Sequence, residues 1–376
     1  MKILVLNYEY PPVGGGGGRL CEKLCEALVE RGHSLRVVTA GVGDLPRDAV
    51  VRGVRVLRPR SFRRQRDTCT VSEMGLYVTT AFFEALSQAR HWRPDVIHAH
   101  FVVPTGALAW VVSRMAGVRY VVTAHLGDVP GGVPEQTSGL FRYVKPFARL
   151  FWRGAGARTA ISSFVGSLAE TAFGTPPDVV IPNGIPAIPP QVVAARDVPE
   201  ILMVGRLSVQ KNPLLAAEAL ALVPAAVNWR LRVIGKGPLE EDFRRALGAR
   251  GLLDRVEFCG WLSEDAVRAR MAAADLLLLP SLHEGLPMAA VEALWHGLAI
   301  VGSKIGGLRD VVRDGLNGSL CELRAPDFAS ALTALLSDRE WLLAARGESL
   351  KLAGAFDFEK SVTAYEAILA DQARRR

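Results

Sequence analysis

The stretch Asp275-Leu-Leu-Leu-Leu-Pro-Ser-Leu-His-Glu284-Gly-Leu-Pro287-Met-Ala-Ala-Val-Glu292-Ala-Leu-Trp-His-Gly297 decides the fold. The stretch 275–279, apolar after Asp275, marks a buried strand, Pro287 suits the first position of a helix, and Gly297 is a natural stop. The segment reads as strand, loop, helix and a new strand. Glu284 falls on the loop and Glu292 inside the helix, with Met288, Ala289, Trp295 and His296 as its helical neighbours. On so apolar a helix the Glu292 carboxylate is expected to leave water and to need a partner. A vicinal diol, such as a sugar supplies, donates two hydroxyls to the two oxygens. A buried Arg, or a partly solvated helix edge, would serve it as well.

Working back from this stretch, the same alternation covers the second half of the chain. Strands at 201–204, 231–234 and 256–259 lead into helices from Pro213 behind the cap Asn212, from Pro238, and after the cap Ser263. Just past the first strand, Val204-Gly-Arg-Leu-Ser-Val-Gln-Lys211 sets Arg206 and Lys211 beside a helix N-terminus. Two fixed cations and the helix amides there would offset the charge of a diphosphate; the competing reading is an ordinary surface Arg and Lys. No Asp-x-Asp pair stands at a strand end, so no metal site is expected and charge stabilisation would fall to these cations.

Ile181-Pro-Asn-Gly-Ile-Pro186, with Pro189, Pro190 and Pro199, punctuates an irregular stretch that reads as a domain linker. Before it lies another α/β series. Strands are expected at 2–6, 35–39, 54–57, 95–99, 119–124 and 158–161, and helices at 19–31, 73–90, 105–116 and 163–172. The expected architecture is α/β, two Rossmann-like domains with parallel sheets facing a cleft: residues 1–186, and residues 187–356. Ligands of such sheets gather outside the carboxyl ends of strands. At those ends stand the glycine run 14–18, His98 and His100, and Val121-Val-Thr-Ala-His125-Leu-Gly-Asp128. The glycines let backbone approach a ligand and aim amides at an anion. They could equally serve a dinucleotide or a plain loop, although the acidic ribose partner of a dinucleotide fold is not evident after Val38-Thr39. A histidine at a strand end is more often structural than catalytic.

Composition sets wide bounds. The 376 residues, 49% hydrophobic and 22% charged, fit an ordinary globular chain with room for two domains. The longest apolar runs fall short of a membrane span, and the chain opens on a strand pattern instead of a secretory signal, so a cytoplasmic place is expected. Five scattered cysteines argue against a disulfide framework; Cys21 and Cys25 share a helical face and read as small core residues. The net charge of +7 comes from the first half, where residues 1–190 hold 22 Lys+Arg against 14 Asp+Glu. Part of it is the run Arg52, Arg55, Arg58, Arg60, Arg63, Arg64 and Arg66. Another part mixes Arg142, Lys145, Arg149 and Arg153 with Phe141, Tyr143, Phe147, Phe151 and Trp152. Such a segment can lie on the inner face of an anionic membrane or form a solvated face with core behind it. No recognised motif supports nucleic acid as a partner.

In order along the chain, these motifs resemble the retaining glycosyltransferases of the GT-B fold, specifically family 4. They are the Pro- and Gly-rich loop at 10–18, His125-x-x-Asp128, Ile181-Pro-Asn-Gly184, Gly205-Arg-Leu with Lys211, Gly235-Lys-Gly-Pro238, Phe258-x-Gly260, and the pair Glu284 and Glu292. The resemblance implies a second domain that binds a nucleotide diphosphate sugar as co-substrate, with no separate cofactor, and a first domain that binds a sugar or lipid-linked acceptor. It implies that Glu292 takes the ribose hydroxyls and that Arg206 and Lys211 take the diphosphate, approached by Gly15, Gly16 and Gly17. Glu284, with the amides of Gly285 and Leu286, would hold the donor sugar, and His125 would lie near the reacting centre. A hexose-type sugar would pass to an acceptor hydroxyl with retention, by electrostatic and proximity catalysis. A nucleotide-sugar epimerase and a silent donor-binding regulator of polysaccharide assembly are the other readings. Two positions depart from the family pattern: Ile185-Pro186 follows Asn-Gly where an acid is common, and Asp310 replaces a Glu. The segment 357–376 resembles the tail that returns to the first domain.

Overall fold

A computed structural model describes residues 1–61, 63–65, 69–189 and 196–375, without the side chains of residues 71, 134–138, 140 and 142. Arg66, Pro190 and the Arg142 side chain therefore lie outside the described residues. The chain forms two compact units, Met1–Asn183 with Glu359–Arg376, and Gly184–Phe358.

The first unit opens with β1 (Lys2–Leu6), α1 (Gly16–Glu30), β2 (Ser34–Val38), β3 (Asp48–Val51), β4 (Val54–Leu57) and α2 (Val71–Ser87). It continues through β5 (Val96–His100), α3 (Ala107–Ala116), β6 (Tyr120–Ala124), α4 (Pro134–Arg153), β7 (Ala157–Ala160), α5 (Ser163–Phe173) and β8 (Val179–Val180). Its eight strands lie in the order β3-β4-β2-β1-β5-β6-β7-β8. All neighbours are parallel except β3, which pairs antiparallel with β4. That edge strand departs from the all-parallel expectation; its four residues are mostly exposed, so no apolar run announces it.

The helix after β1 also begins earlier than expected, at Gly16 inside the glycine run instead of at residue 19. Glycine is a poor helix former, but Gly18 has no choice: a Cβ there would stand 2.3 Å from the Glu9 carbonyl oxygen. Cys21 and Cys25 lie buried on the inner face of α1. The basic aromatic segment is helix α4, and there Arg149 and Arg153 donate to the Phe173 carbonyl, with Arg153 also reaching Gly174. They satisfy the last carbonyls of α5, the place where cations suit a helix best.

The second unit runs β9 (Glu200–Val204), α6 (Pro213–Leu222), β10 (Arg230–Ile234), α7 (Glu240–Gly248), β11 (Val256–Gly260), α8 (Glu264–Ala272), β12 (Leu276–Leu279) and α9 (Met288–Trp295). It closes with β13 (Ala299–Ser303), α10 (Leu308–Val311), β14 (Gly318–Cys321), α11 (Ala325–Ser337) and α12 (Arg339–Ala353). The six strands, all parallel, lie in the order β11-β10-β9-β12-β13-β14. Ser263 caps α8 as expected, its hydroxyl accepting from the Ala266 amide. Pro287 is the residue before α9, one place earlier than the sequence suggested, because its own carbonyl already accepts the first helical bonds from Ala290 and Val291.

The last helix, α13 (Phe358–Arg374), packs on the first unit. Val362, Tyr365 and Leu369 are buried, and Arg31 and His33 both bind Glu366. Among the described residues no helix is long and apolar enough to cross a membrane.

In each sheet the strand order reverses direction once, at β1/β5 in the first and at β9/β12 in the second. At such a switch point the loops leaving neighbouring strands part and open a crevice beyond the strand ends. Apart from His98 and His100 on β5 itself and Glu292 within α9, the candidate residues sit on loops or helix starts beyond strands at or beside these two points.

Candidate active site

In the second unit the loops leaving β9 and β12 are tied together. Leu282 donates its amide to the Gln210 carbonyl at 2.7 Å, and the Gln210 side chain donates back to the His283 carbonyl at 2.9 Å. Across this seam Lys211 Nζ donates to Glu284 Oε1 at 2.6 Å. The Glu284 carboxylate is almost wholly out of water, the Lys211 side chain about a quarter exposed at 26%. The cation expected at a phosphate and the acid expected at a sugar thus lie in direct contact. An ammonium carries three donors, so Lys211 can hold Glu284 and a ligand oxygen at once. Arg206, exposed, stands at the mouth of a recess lined also by Gly205, Leu207, Lys211 and Ser281. The Ser281 hydroxyl, buried in that recess, has no hydrogen-bond partner.

Gly285 and Leu286 are buried directly before α9, and the Gly307 amide holds the Glu284 carbonyl at 3.0 Å. The two glutamates differ from the expectation in one respect. The loop residue Glu284 is the buried one, and Glu292 is half-buried on the helix edge with Met288, Ala289 and Trp295, while Ala290, Val291, Ala293 and Leu294 face the core. The partly solvated helix edge therefore holds for Glu292.

In the first unit three histidines form a tier at the ends of β5 and β6. The parallel register sets His100 beside Thr123, so His98 and His100, two apart on one strand, share a face. Their rings are 4.2 Å apart, and His98 Nε2 pairs with the Thr123 hydroxyl at 2.9 Å. His100 Nδ1 meets His125 Nε2 at 3.4 Å, and the His125 ring stacks on Phe101 at 4.3 Å. Burial pushes His125 well below the usual histidine range, and the neighbouring His100 adds to this, so it is neutral. A Cβ placed on Gly17 would stand 3.6 Å from His125 Nδ1, whereas Gly15 and Gly16 face open space with no heavy atom within 4 Å of such a Cβ. The structure thus brings Gly17 to His125, while the Gly15 amide donates to the Glu9 carboxylate at 3.3 Å.

Asp128 holds this arrangement. Its carboxylate accepts the Val102 amide at 2.6 Å and the His125 amide at 2.8 Å, clasping the exits of β5 and β6. Burial raises its carboxyl to about 7, the two amides holding it lower than burial alone would. The sequence showed Asp128 beside His125 but not this clasp, and it gave no role to Gln210 or His100. Their only signals were adjacency to Lys211 and the His-x-His spacing. Among the described residues there is no group of three or more His, Cys, Asp or Glu that could hold a metal ion.

Known proteins share this architecture along the whole chain. Residues 15–184 match the glycosyl transferase 4-like domain, and residues 185–348 match glycosyl transferases group 1. A 2-deoxystreptamine glucosyltransferase of Streptomyces kanamyceticus is 31% identical over 359 residues, covering 85% of this chain and 92% of that protein. Sucrose-phosphate synthase from Thermosynechococcus elongatus superposes with a TM-score of 0.84 at 20% identity, covering all of both chains. The Anabaena protein HepE, solved with UDP-glucose, superposes with a TM-score of 0.75 at 20% identity, over 99% of this chain and 100% of that one. The chain belongs to the GT-B fold glycosyltransferases related to family 4, and its activity is nucleotide-sugar-dependent glycosyl transfer.

Proposed function

We propose that the chain moves a hexose-type sugar from a nucleotide diphosphate sugar to an acceptor hydroxyl with retention of anomeric configuration and without a metal. The observation that carries this reading is the Lys211–Glu284 pair at the start of α9, with Arg206 at the mouth of the same recess. In it Lys211 and Arg206 bind the diphosphate, Glu284 and the amides of Gly285 and Leu286 hold the sugar, and Glu292 on its open helix edge takes the ribose diol. His125 and the glycine loop serve the reacting sugar. The bond from C1 to the diphosphate oxygen breaks as the bond from C1 to the acceptor oxygen forms on the same face. The acceptor proton passes to the departing diphosphate. The chain's part is to stabilise the leaving charge and to position the hydroxyl. The glucosyltransferase relative and the UDP-glucose bound to HepE support a gluco-configured donor.

A lipid-linked or membrane-side acceptor is favoured by helix α4, where Tyr143, Phe147 and Leu150 form an exposed stripe at helical spacing, with Lys145 also exposed. Because Arg149 and Arg153 are engaged with α5, the stripe depends more on apolar insertion than on charge.

The test is release of free nucleoside diphosphate from a panel of donors, with and without simple glycoside acceptors and acceptor-bearing anionic vesicles. Acceptor-dependent release with an α-linked product from an α-linked donor is expected. Conversion of the donor sugar without any acceptor would favour an epimerase, and binding without turnover a silent regulator.

A further inference from the structure

We propose that His100 is a positioning residue that fixes the tautomer of His125, so that His125 offers a protonated Nδ1 to the ligand as a hydrogen-bond donor and does not act as a base. The inference rests on the reading that His125 serves the reacting sugar. Its own evidence is the buried tier beneath the glycine loop.

His100 Nδ1 and His125 Nε2 face each other at 3.4 Å, both rings being buried, so one proton lies between them. The remaining nitrogens differ. His125 Nδ1 is on the side of Gly17, and His100 Nε2 is buried with no hydrogen-bond partner. Two arrangements of neutral rings are possible. In the first, His100 carries its proton on Nδ1 and donates to His125 Nε2. His125 then carries its proton on Nδ1, and the orphan at His100 Nε2 is a bare lone pair. In the second, His125 Nε2 is the donor, and His100 must carry its proton on Nε2, leaving a buried N–H with no acceptor.

Orphaned buried N–H groups are much rarer than under-satisfied acceptors. The Cys21 thiol lies against His100. Sulfur is a weak acceptor and makes no hydrogen bond to His100 Nε2, so it does little for the N–H of the second arrangement. The first arrangement is therefore the stable one. Burial, which keeps His125 neutral, removes the doubly protonated alternative.

A neutral imidazole with its proton on Nδ1 can donate to a sugar or phosphate oxygen at the glycine loop but has no lone pair there to accept an acceptor's proton. The mechanism is then one in which the departing diphosphate takes that proton.

The experiment is long-range 1H–15N correlation on protein labelled with 15N-histidine, without any ligand. The His125 signals are identified by their loss in His125→Gln. The expected wild-type pattern is a protonated Nδ1 and an unprotonated Nε2 for His125. In His100→Leu this pattern should be lost in favour of the tautomer protonated on Nε2, and His100→Asn, whose amide can still donate, should restore it. A wild-type His125 protonated on Nε2 overturns the proposal even where the variants fail to fold, and so does a pattern unchanged in a folded His100→Leu protein. Because no donor is used, failure of the glycosyl-transfer reading leaves this result standing on its own. Where turnover is measured, His100→Leu should lower kcat with little change in the donor KM.

Discussion

Lys211 and Glu284 are 73 positions apart in the chain and meet at 2.6 Å. Their contact sets how each responds to change. Removing Lys211 leaves a carboxylate out of water with no cation, whereas removing the charge of Glu284 leaves an ammonium that still reaches solvent. Lys211→Met is expected to destabilise the second unit by about 2–3 kcal/mol, below the range for fully buried pairs because the lysine is partly exposed. Glu284→Gln should cost under about 1 kcal/mol, and the double variant should recover most of the loss. Urea denaturation of the four proteins forms the double-mutant cycle, and additive costs would show that the pair has no coupling. Both residues were evident as candidates from sequence because each follows a strand and precedes a helix start. Their pairing was not, since nothing in a linear sequence reports which two loops a sheet brings side by side.

Among the elements, the exits of β5 and β6 depend on the Asp128 clasp. Asp128→Ala strands two buried amides and should cost roughly 2–6 kcal/mol, at about 1–3 kcal/mol for each. The carboxyl also links stability to pH. Its folded value of about 7 stands above the ordinary 3.8, so the folded chain holds the proton more tightly than the unfolded chain. The stability tied to this group is complete below about pH 4 and is lost as pH rises through about 7. Denaturation midpoints across that range should show the slope in the wild type and lose that component in Asp128→Ala.

Sequence periodicity found the buried strands by their apolar runs, Leu276–Leu279 the clearest among them. It missed β3, whose exposed residues carry no core signal, and it started α1 late because glycine propensity argues against a helix through Gly18, a position where the Glu9 carbonyl leaves no room for a side chain. The histidine tier was half legible. His98, His100 and His125 each stood at a strand end, but their contact comes from the register of β5 against β6, which no local pattern encodes.

For the whole molecule, the two-unit α/β plan could be read from the alternation and from the proline-rich linker, because both are periodic or compositional signals. The contribution of α13 to the first unit was available only through family resemblance. Burial of Val362, Tyr365 and Leu369 is worth about 5–8 kcal/mol at the usual gain per side chain. That is comparable to the full stability of an ordinary domain. A chain ending at Phe358 should therefore lose the cooperative unfolding transition of the first unit and keep that of the second. Differential scanning calorimetry would read this directly, and two intact transitions would show that the helix is dispensable.

The return of α13 to the first unit also has a consequence for the order in which the protein can be made. The second unit is one continuous segment and can fold as soon as it leaves the ribosome, but the first, although synthesised earlier, lacks its last helix until the whole of the second has been translated. At usual elongation rates the interval from Asn183 to Leu369 is roughly 10–40 s. During that time the surface that Tyr365 will cover, with His98 beneath it at a ring distance of 5.3 Å, waits open as a natural binding place for a holding chaperone.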